Sequence, residues 1–555
     1  MARRIRWQIV IAVLSTLLVA LLLGRLALRT ASVASPLAGG AYVEALTGAP
    51  QLPIPLLNDP IADPAGRELI ALLFDGLLRV GADGLIEPAL AASYEIDESG
   101  TTYIFSLRRD ITWHDGRPLS ADDVVFTLRS LQVAEQPGDQ ALAAVWEDAL
   151  VDRLDDYTVR VTLTAPYAPF LSAARVPILP AHLLAGTPPD RWPATPFARS
   201  LVGTGPYRLV ELREDRAVLA ANERYFAGRP YLDTLELHFF ASAEAAEAAL
   251  ARGDVTAFGR RLTPSLAPID PPANHRAAVV PLDEYATLSF NLRRPPLDQL
   301  PLRQALAHGL SKDALIETAL AGSAVPLDTP ILPGWWAFSP AVRWYEPDRA
   351  AAERILSELG YEPGPGGLRQ RDGRALSFEL LVDGDPMRRA AADEVARQWA
   401  ELGVEVRVTE LDGAALLDRL RSRSFEMAIH SWARLGPDPD PFALWHSSRA
   451  EAGLNYAGLA DAEIDSLLAA AREEGELAAR SADYAAFQQR WVELVPSITL
   501  YQPLYRFVAD ESLGGMGFDD PASAASLLLF GTEDRYRTVA RWYTASYREI
   551  QGDLR

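Results

Sequence analysis

Residues 101–131 read TTYIFSLRRDITWHDGRPLSADDVVFTLRSL, and their order sets the fold class. Tyr103–Leu107 is an alternating run, the pattern of a half-buried strand. A polar turn with Trp113, His114, Asp115 and Gly116 follows. Ser120 then precedes Ala121–Asp122–Asp123, an N-cap with acids in the first helical turn, and Val124, Val125, Phe126 and Leu128 supply an apolar face. Strand, polar turn and capped helix make an α/β unit.

The same alternation recurs outward. Gly40–Leu46 reads as a strand, Ala65–Leu78 as a helix buried through Leu69, Leu72, Leu73 and Leu77, and Asp155–Leu163 as a turn into a strand. Gly203–Thr204–Gly205–Pro206–Tyr207 is a glycine turn ahead of strands Arg208–Glu211 and Ala217–Ala221. Beyond Tyr285 come a strand at 287–292, a helix at 302–310 and a Pro- and Trp-rich loop at 330–340. Helices at 349–359 and 388–402 then alternate with strands at 378–382, 405–409 and 427–431, the order of a partly parallel sheet with helices on its faces. Strand-like sequence returns at 497–508.

A chain of 555 residues is too long for one core, so two or three domains are expected. At 49% hydrophobic and 23% charged it is globular. The net charge of −21 argues against nucleic acid, whose phosphates need clustered cations. With no cysteine, disulfides, thiolate catalysis, Cys-bound metals and lipid attachment through a Cys are excluded.

Arg3, Arg4 and Arg6 precede the apolar run Ile9–Leu23. A cleaved signal fits the small residues Ala31–Ala34. An uncleaved anchor fits Arg25 and Arg29, and Trp7–Leu28 is long enough to span a bilayer. The anchor is the reading carried forward, with the bulk of the chain on the extracytoplasmic face of the cell membrane.

No phosphate loop, HExxH pair or nucleophile elbow occurs. The seven histidines include no i, i+4 pair, so neither a metal nor a cofactor is expected.

Several segments resemble, in order from about Gly39 to Tyr505, the family 5 extracellular solute-binding proteins, the peptide-binding components of bacterial ABC importers. They are Phe74–Leu78, Glu87–Ala91 with Tyr94, the 101–131 stretch, Gly203–Tyr207, Phe290–Asn291 with Arg303–Ala305, and Asn455–Tyr456 with Ile464–Asp465. The resemblance implies an α/β, two-lobed periplasmic-binding-protein-like fold of type II, the large peptide-binding class, with an extra subdomain in lobe I. The implied division is a membrane segment (1–30), a linker (31–39), lobe I (40–284, with the subdomain at about 75–190), lobe II (285–495), a return to lobe I (496–540) and a tail (541–555). The implied function is capture of peptides or related solutes for a permease with a separate ATPase, without catalysis. A membrane-anchored sensor, an oligosaccharide carrier and a hydrolase on the same scaffold stay as alternatives.

In relatives that hold peptides, a lobe II Trp is followed three residues later by an Asp that pairs with the peptide amino terminus. Here Trp432 matches and Leu435 stands at the anchor position, with Asp438 and Asp440 close by to substitute. The loop Asn58–Asp63 corresponds to one that brings groups to the ligand. Trp335, Trp336 and Trp344 are candidates to line the cleft.

Overall fold

The computed structural model describes residues 14, 16, 32–59, 62–81, 83–133, 140–265, 270–433, 436–517 and 528–550. The proposed membrane segment lies, but for residues 14 and 16, outside them; among the described residues no helix is long and apolar enough to cross a membrane.

One twelve-stranded mixed sheet runs through both halves of the molecule. Its centre is the strand Ser497–Asp510. Residues 497–501 pair with Glu284–Phe290 and 501–503 with Ala324–Pro326. Residues 504–510 pair with His275–Pro281, and 505–509 with Ala257–Arg261 on the other side. Beyond Ala257–Arg261 the sheet continues to Ala41–Thr47, Thr234–Phe240, Arg216–Ala221 and Tyr207–Leu212. On the opposite side of Glu284–Phe290 lie Met427–Ala433, Ser377–Asp383 and Glu405–Leu411. The strand thus carries hydrogen bonds from both lobes along one uninterrupted backbone.

Two of the three largest cores among the described residues flank this sheet. Lobe I is built around Tyr42, Leu69, Leu72, Leu235 and Trp542. Lobe II is built around Tyr285, Leu306, Trp399, Trp491 and Ile498. A third core, with Phe105, Trp113, Leu128 and Trp146, belongs to a subdomain with its own four-stranded antiparallel sheet, in the order 91–96, 102–107, 158–162, 150–155.

The 101–131 stretch forms the expected strand, Thr102–Leu107, and helix, Ala121–Leu131. Of the two first-turn acids only Asp123 is buried. Its carboxylate accepts the Ser120 N–H at 3.0 Å, the Ala181 N–H at 2.9 Å and the Trp113 indole N–H at 3.4 Å, so one residue ties helix start, turn and following loop together.

The helix beginning at Pro64 stops at Leu73, short of the expected Leu78. The Gly203–Tyr207 turn is the reason: Gly205 donates its N–H to the Leu73 carbonyl at 2.9 Å. A Cβ on Gly203 would stand 1.8 Å from that carbonyl oxygen, so glycine is required for close approach and not for a positive φ. His114 clamps the turn from the subdomain: its Nδ1 accepts the Gly203 N–H at 3.1 Å, leaving Nε2 to donate to the Gly205 carbonyl at 3.1 Å.

Both chain ends depart from the expected layout. The 31–39 stretch, read as a linker, contains the strand Ser32–Pro36, which pairs antiparallel with Ser546–Ile550 in the tail. Ahead of that strand, Arg535 is fully buried between Glu44 and Glu68, at 2.8 and 2.5 Å. The Tyr42 and Tyr536 hydroxyls donate to the second Glu44 oxygen at 2.8 and 2.7 Å. Partners this distant in sequence leave no local pattern, which hid the tail's role.

Burial, ahead of the charge of Arg208, pushes the His114 pKa down to about 4. An unfolded histidine titrates near about 6.5, so between those values only the unfolded chain takes up the proton. The stability that neutral His114 contributes is therefore complete above about pH 6.5 and lost as pH falls toward about 4. In urea unfolding, the stability gap between wild type and His114→Gln is expected to shrink between about pH 7 and about pH 4.5. A gap independent of pH would contradict the clamp.

Candidate functional site

In lobe II the strands Ser377–Asp383, Glu405–Leu411 and Met427–Ala433 run parallel, so their carboxyl ends share one edge. In open α/β sheets that edge is where ligands bind. Arg388, in the first turn of helix Pro386–Ala400, grips Asp383 there with two bonds of 2.8 Å and donates to the Ser431 hydroxyl at 3.0 Å. Behind it His430 bonds Ser289 at 2.9 Å. Burial, reinforced by the Arg388 charge, pushes the His430 pKa down to about 4, so its imidazole is neutral near pH 7.

Trp432 lies half-buried at the end of its strand, stacked on Tyr456 at 5.5 Å and edge-on to His430 at 5.1 Å. Leu435 falls outside the described residues. The loop that follows, Gly436–Pro437–Asp438–Pro439–Asp440–Pro441, carries the two candidate anchors, and both carboxylates are already paired. Asp438 receives Arg480 through two bonds of 2.8 Å, and Asp440 receives Arg472 at 2.6 and 2.8 Å. In this arrangement a guanidinium stands against each carboxylate, where an amine would pair.

The paired loop makes a contact that the sequence did not signal. Tyr167, in the subdomain of lobe I, donates its hydroxyl to Asp440 at 3.2 Å, and the Ala168 N–H donates to the Arg472 carbonyl at 2.7 Å. At its other end the loop is tied to the segment between the lobes, since Gly436 donates its N–H to Asp283 at 2.8 Å. Residues 436–441 therefore run from the crossing strands to a point where lobe II touches lobe I.

The remaining candidates separate. Asp63 caps the helix at Pro64, accepting the Gly66 N–H at 2.9 Å, and also holds the Gln51 and Leu52 amides at 3.0 and 2.8 Å. Asn58 donates to Asp63 at 3.0 Å while its own Oδ1 is buried without a partner among the described residues. Asp63 is thus a fastener of its loop, and Asn58 alone keeps an acceptor to offer. Trp335 and Trp344 are 5% and 6% exposed and belong to the lobe II core, not to a cleft wall. Trp336 is half-buried, bonded through its indole to the Pro437 carbonyl at 3.2 Å and covered by Arg480 at 4.9 Å.

Arg472, Arg480 and Tyr167 were missed because their partners lie 32, 42 and 273 residues away. Arg388 carries a weak signal, its place in the first turn of a helix that follows a strand.

The family pattern described as "Bacterial extracellular solute-binding proteins, family 5 Middle" matches residues 86–453. The oligopeptide-binding protein AppA of Bacillus subtilis is 28% identical over 495 residues, covering 87% of this chain and 90% of its own. The solved structure of that species' AppA with a nonapeptide superposes at a TM-score of 0.68, with 26% identity, over 92% of this chain and 100% of the other. NikZ from Campylobacter jejuni, solved with Ni(L-His), superposes at 0.69 with 26% identity, over 91% of this chain and 99% of the other.

Removing the Tyr167 hydroxyl tests the contact between lobes. A hydrogen bond to a charged group contributes about 1.5–3 kcal/mol, so Tyr167→Phe is expected to raise the exchange rate of the Ala168 amide by about tenfold or more. Amides inside helix Phe170–Ala173 should keep their rates. Unchanged exchange at Ala168 would show that the contact holds nothing closed.

Proposed function

Because this chain belongs to the bacterial extracellular solute-binding proteins of family 5, we propose that it encloses a peptide or related small solute between its lobes and passes it to the permease of an ABC importer. The family is one of binding proteins for transport, not of enzymes. The observation that carries the reading is the pair of connections between lobes: a continuous strand through both, and a separate contact from Tyr167 and Ala168 to residues 440 and 472. The strand fixes an axis, and the contact can form or break as the lobes rotate about it. A ligand that touches both lobes stabilises the closed form by its differential affinity.

The chain divides into lobe I (40–284), lobe II (285–495) and a return to lobe I (496–540), a division supported by separate cores around Leu69 and around Trp491. The Trp7–Leu28 run serves as a membrane anchor, supported by the arginines ahead of it. On the cleft side, Trp432 and Trp336 supply aromatic surface, Asn58 supplies a buried acceptor, and Asp438 and Asp440 act through their arginines.

A second ligand class is favoured by one observation. With Asp438 and Asp440 paired, an α-amine finds neither carboxylate open, so a solute recognised through other groups fits as well as a peptide. The bound NikZ ligand, Ni(L-His), is one non-peptide cargo within the family.

Native mass spectrometry of the full chain, extracted gently and then unfolded, tests both. A heterogeneous set of short peptides is the expected release. One non-peptide compound would keep capture and replace the peptide. Protein that retains no solute, and does not bind any from a cell extract, would contradict capture itself.

A further inference from the structure

The first and last described strands of the chain are tied to each other and then to lobe I. Ser32–Pro36 pairs with Ser546–Ile550 in a two-stranded ribbon, Ser32 opposite Ile550 and Pro36 opposite Ser546. The pairing runs on to Leu37, whose N–H donates to the Ala545 carbonyl at 2.9 Å, and Gly39 then donates to the Tyr231 carbonyl at 2.7 Å. Two residues later the chain enters the central sheet as Ala41–Thr47. The other ribbon strand follows Tyr543, which exchanges two backbone bonds with Gly514, at 2.8 and 3.1 Å. Ahead of Tyr543 lies Thr532–Arg541, whose Arg535 is locked between Glu44 and Glu68. Both strands of the ribbon are therefore continuous with the body of lobe I.

This fixed start lies close in sequence to the apolar run at the amino terminus. Leu28 ends that run and Ser32 is four residues on, a reach of at most about 14 Å. The polar layer of a bilayer is about 5–8 Å deep on each side of its hydrocarbon core. A run that spans the core thus delivers Ser32, and with it the paired end of the tail, into the headgroups or just past them. One face of the ribbon suits that place. Tyr547 stands opposite Ser35, and Leu37, two residues beyond Ser35, shares its face by strand alternation. The two are 49% and 45% exposed, an aromatic ring with a polar tip beside an aliphatic side chain. Charge does not draw the ribbon to the membrane, because a chain of net charge −21 is repelled by an anionic leaflet. Covalent reach and apolar contact have to do it.

We propose that the ribbon of Ser32–Pro36 and Ser546–Ile550 is a membrane-contact surface, resting on the outer face of the bilayer with Leu37 and Tyr547 among the lipid headgroups. This rests on the reading of Trp7–Leu28 as a retained anchor and goes beyond it. An anchor followed by a loose linker would leave lobe I free in height and angle. An anchor followed by a zippered ribbon holds lobe I within a narrow range of heights, so lobe II is the half that moves when the cleft closes. The tail supplies the second strand that makes this tether stiff. Tyrosine suits the depth, with its ring at the apolar boundary and its hydroxyl in water.

The chain has no cysteine, so Leu37→Cys, Tyr547→Cys and, in lobe II, exposed Arg354→Cys each take a single fluorophore. The labelled full chain is reconstituted into phosphatidylcholine vesicles, with and without a lipid that carries a nitroxide on its headgroup. Thermal midpoints report that each variant folds. Quenching by that lipid requires headgroup depth, so the labels at 37 and 547 are expected to lose about half their emission or more while the label at 354 keeps it. Ribbon labels that keep their emission would overturn the proposal, and so would equal quenching at all three positions. Intact mass and vesicle flotation separate this inference from the reading beneath it. Protein that floats with residues 1–30 in place, yet shows no quenching at the ribbon, overturns the contact surface and leaves the anchor. Protein whose mass begins beyond residue 30 overturns both and leaves capture standing.

Discussion

The structure depends on the continuity of one strand. Ser497–Asp510 is hydrogen-bonded to lobe II through its first half and to lobe I through its second, so neither lobe can complete its sheet without it. Glu284–Phe290 and His275–Pro281, which flank it, come from one continuous stretch of chain and make the other crossing. Two adjacent crossings restrict the lobes to rotation about a shared line, because sliding would break paired backbone groups that burial makes expensive to leave unpaired. Two polar side chains make bonds along this line: Gln502 donates to the Leu282 carbonyl at 2.9 Å, and Arg261 pairs with Glu284 at 2.8 Å.

Away from that line the contacts between the lobes include polar bonds that can reverse, beside Val80 and Phe530 packed into the lobe II core. One phenol on a carboxylate and one amide on a carbonyl join the subdomain to the 440 and 472 positions. The aspartates of loop 436–441 are held by arginines beside this contact, Asp440 by Arg472 and Asp438 by Arg480.

Much of the fold was legible because its signals are local. The strand and helix of 101–131 fall where alternation, Ser120 and Asp123 place them, and the strand–helix alternation after Ser377 does as well. Trp335 and Trp336 show the limit: adjacent and identical, one is buried in the lobe II core and the other meets Arg480 and Pro437. Gly203 was legible as a necessary glycine, but its reason, the Leu73 carbonyl, is a contact between distant segments. The same holds for the site. Trp432 and the aspartates were found through the family resemblance, whereas whether the carboxylates are open depends on arginines that only folding brings near.

The most direct test of the account is the distance between lobes. The chain has no cysteine, so a pair introduced at exposed Leu150 and Arg354, one in the subdomain and one in lobe II, can be spin-labelled without background. Pulsed electron resonance on the full chain, freed of solute and then given back the solute released from the native protein, reads the distance distribution. Rotation about the Ser497–Asp510 strand predicts a broad distribution that shortens and narrows when solute returns. A distribution that stays the same with and without solute would mean that the lobes form a rigid body, and the account of capture by closure would be wrong.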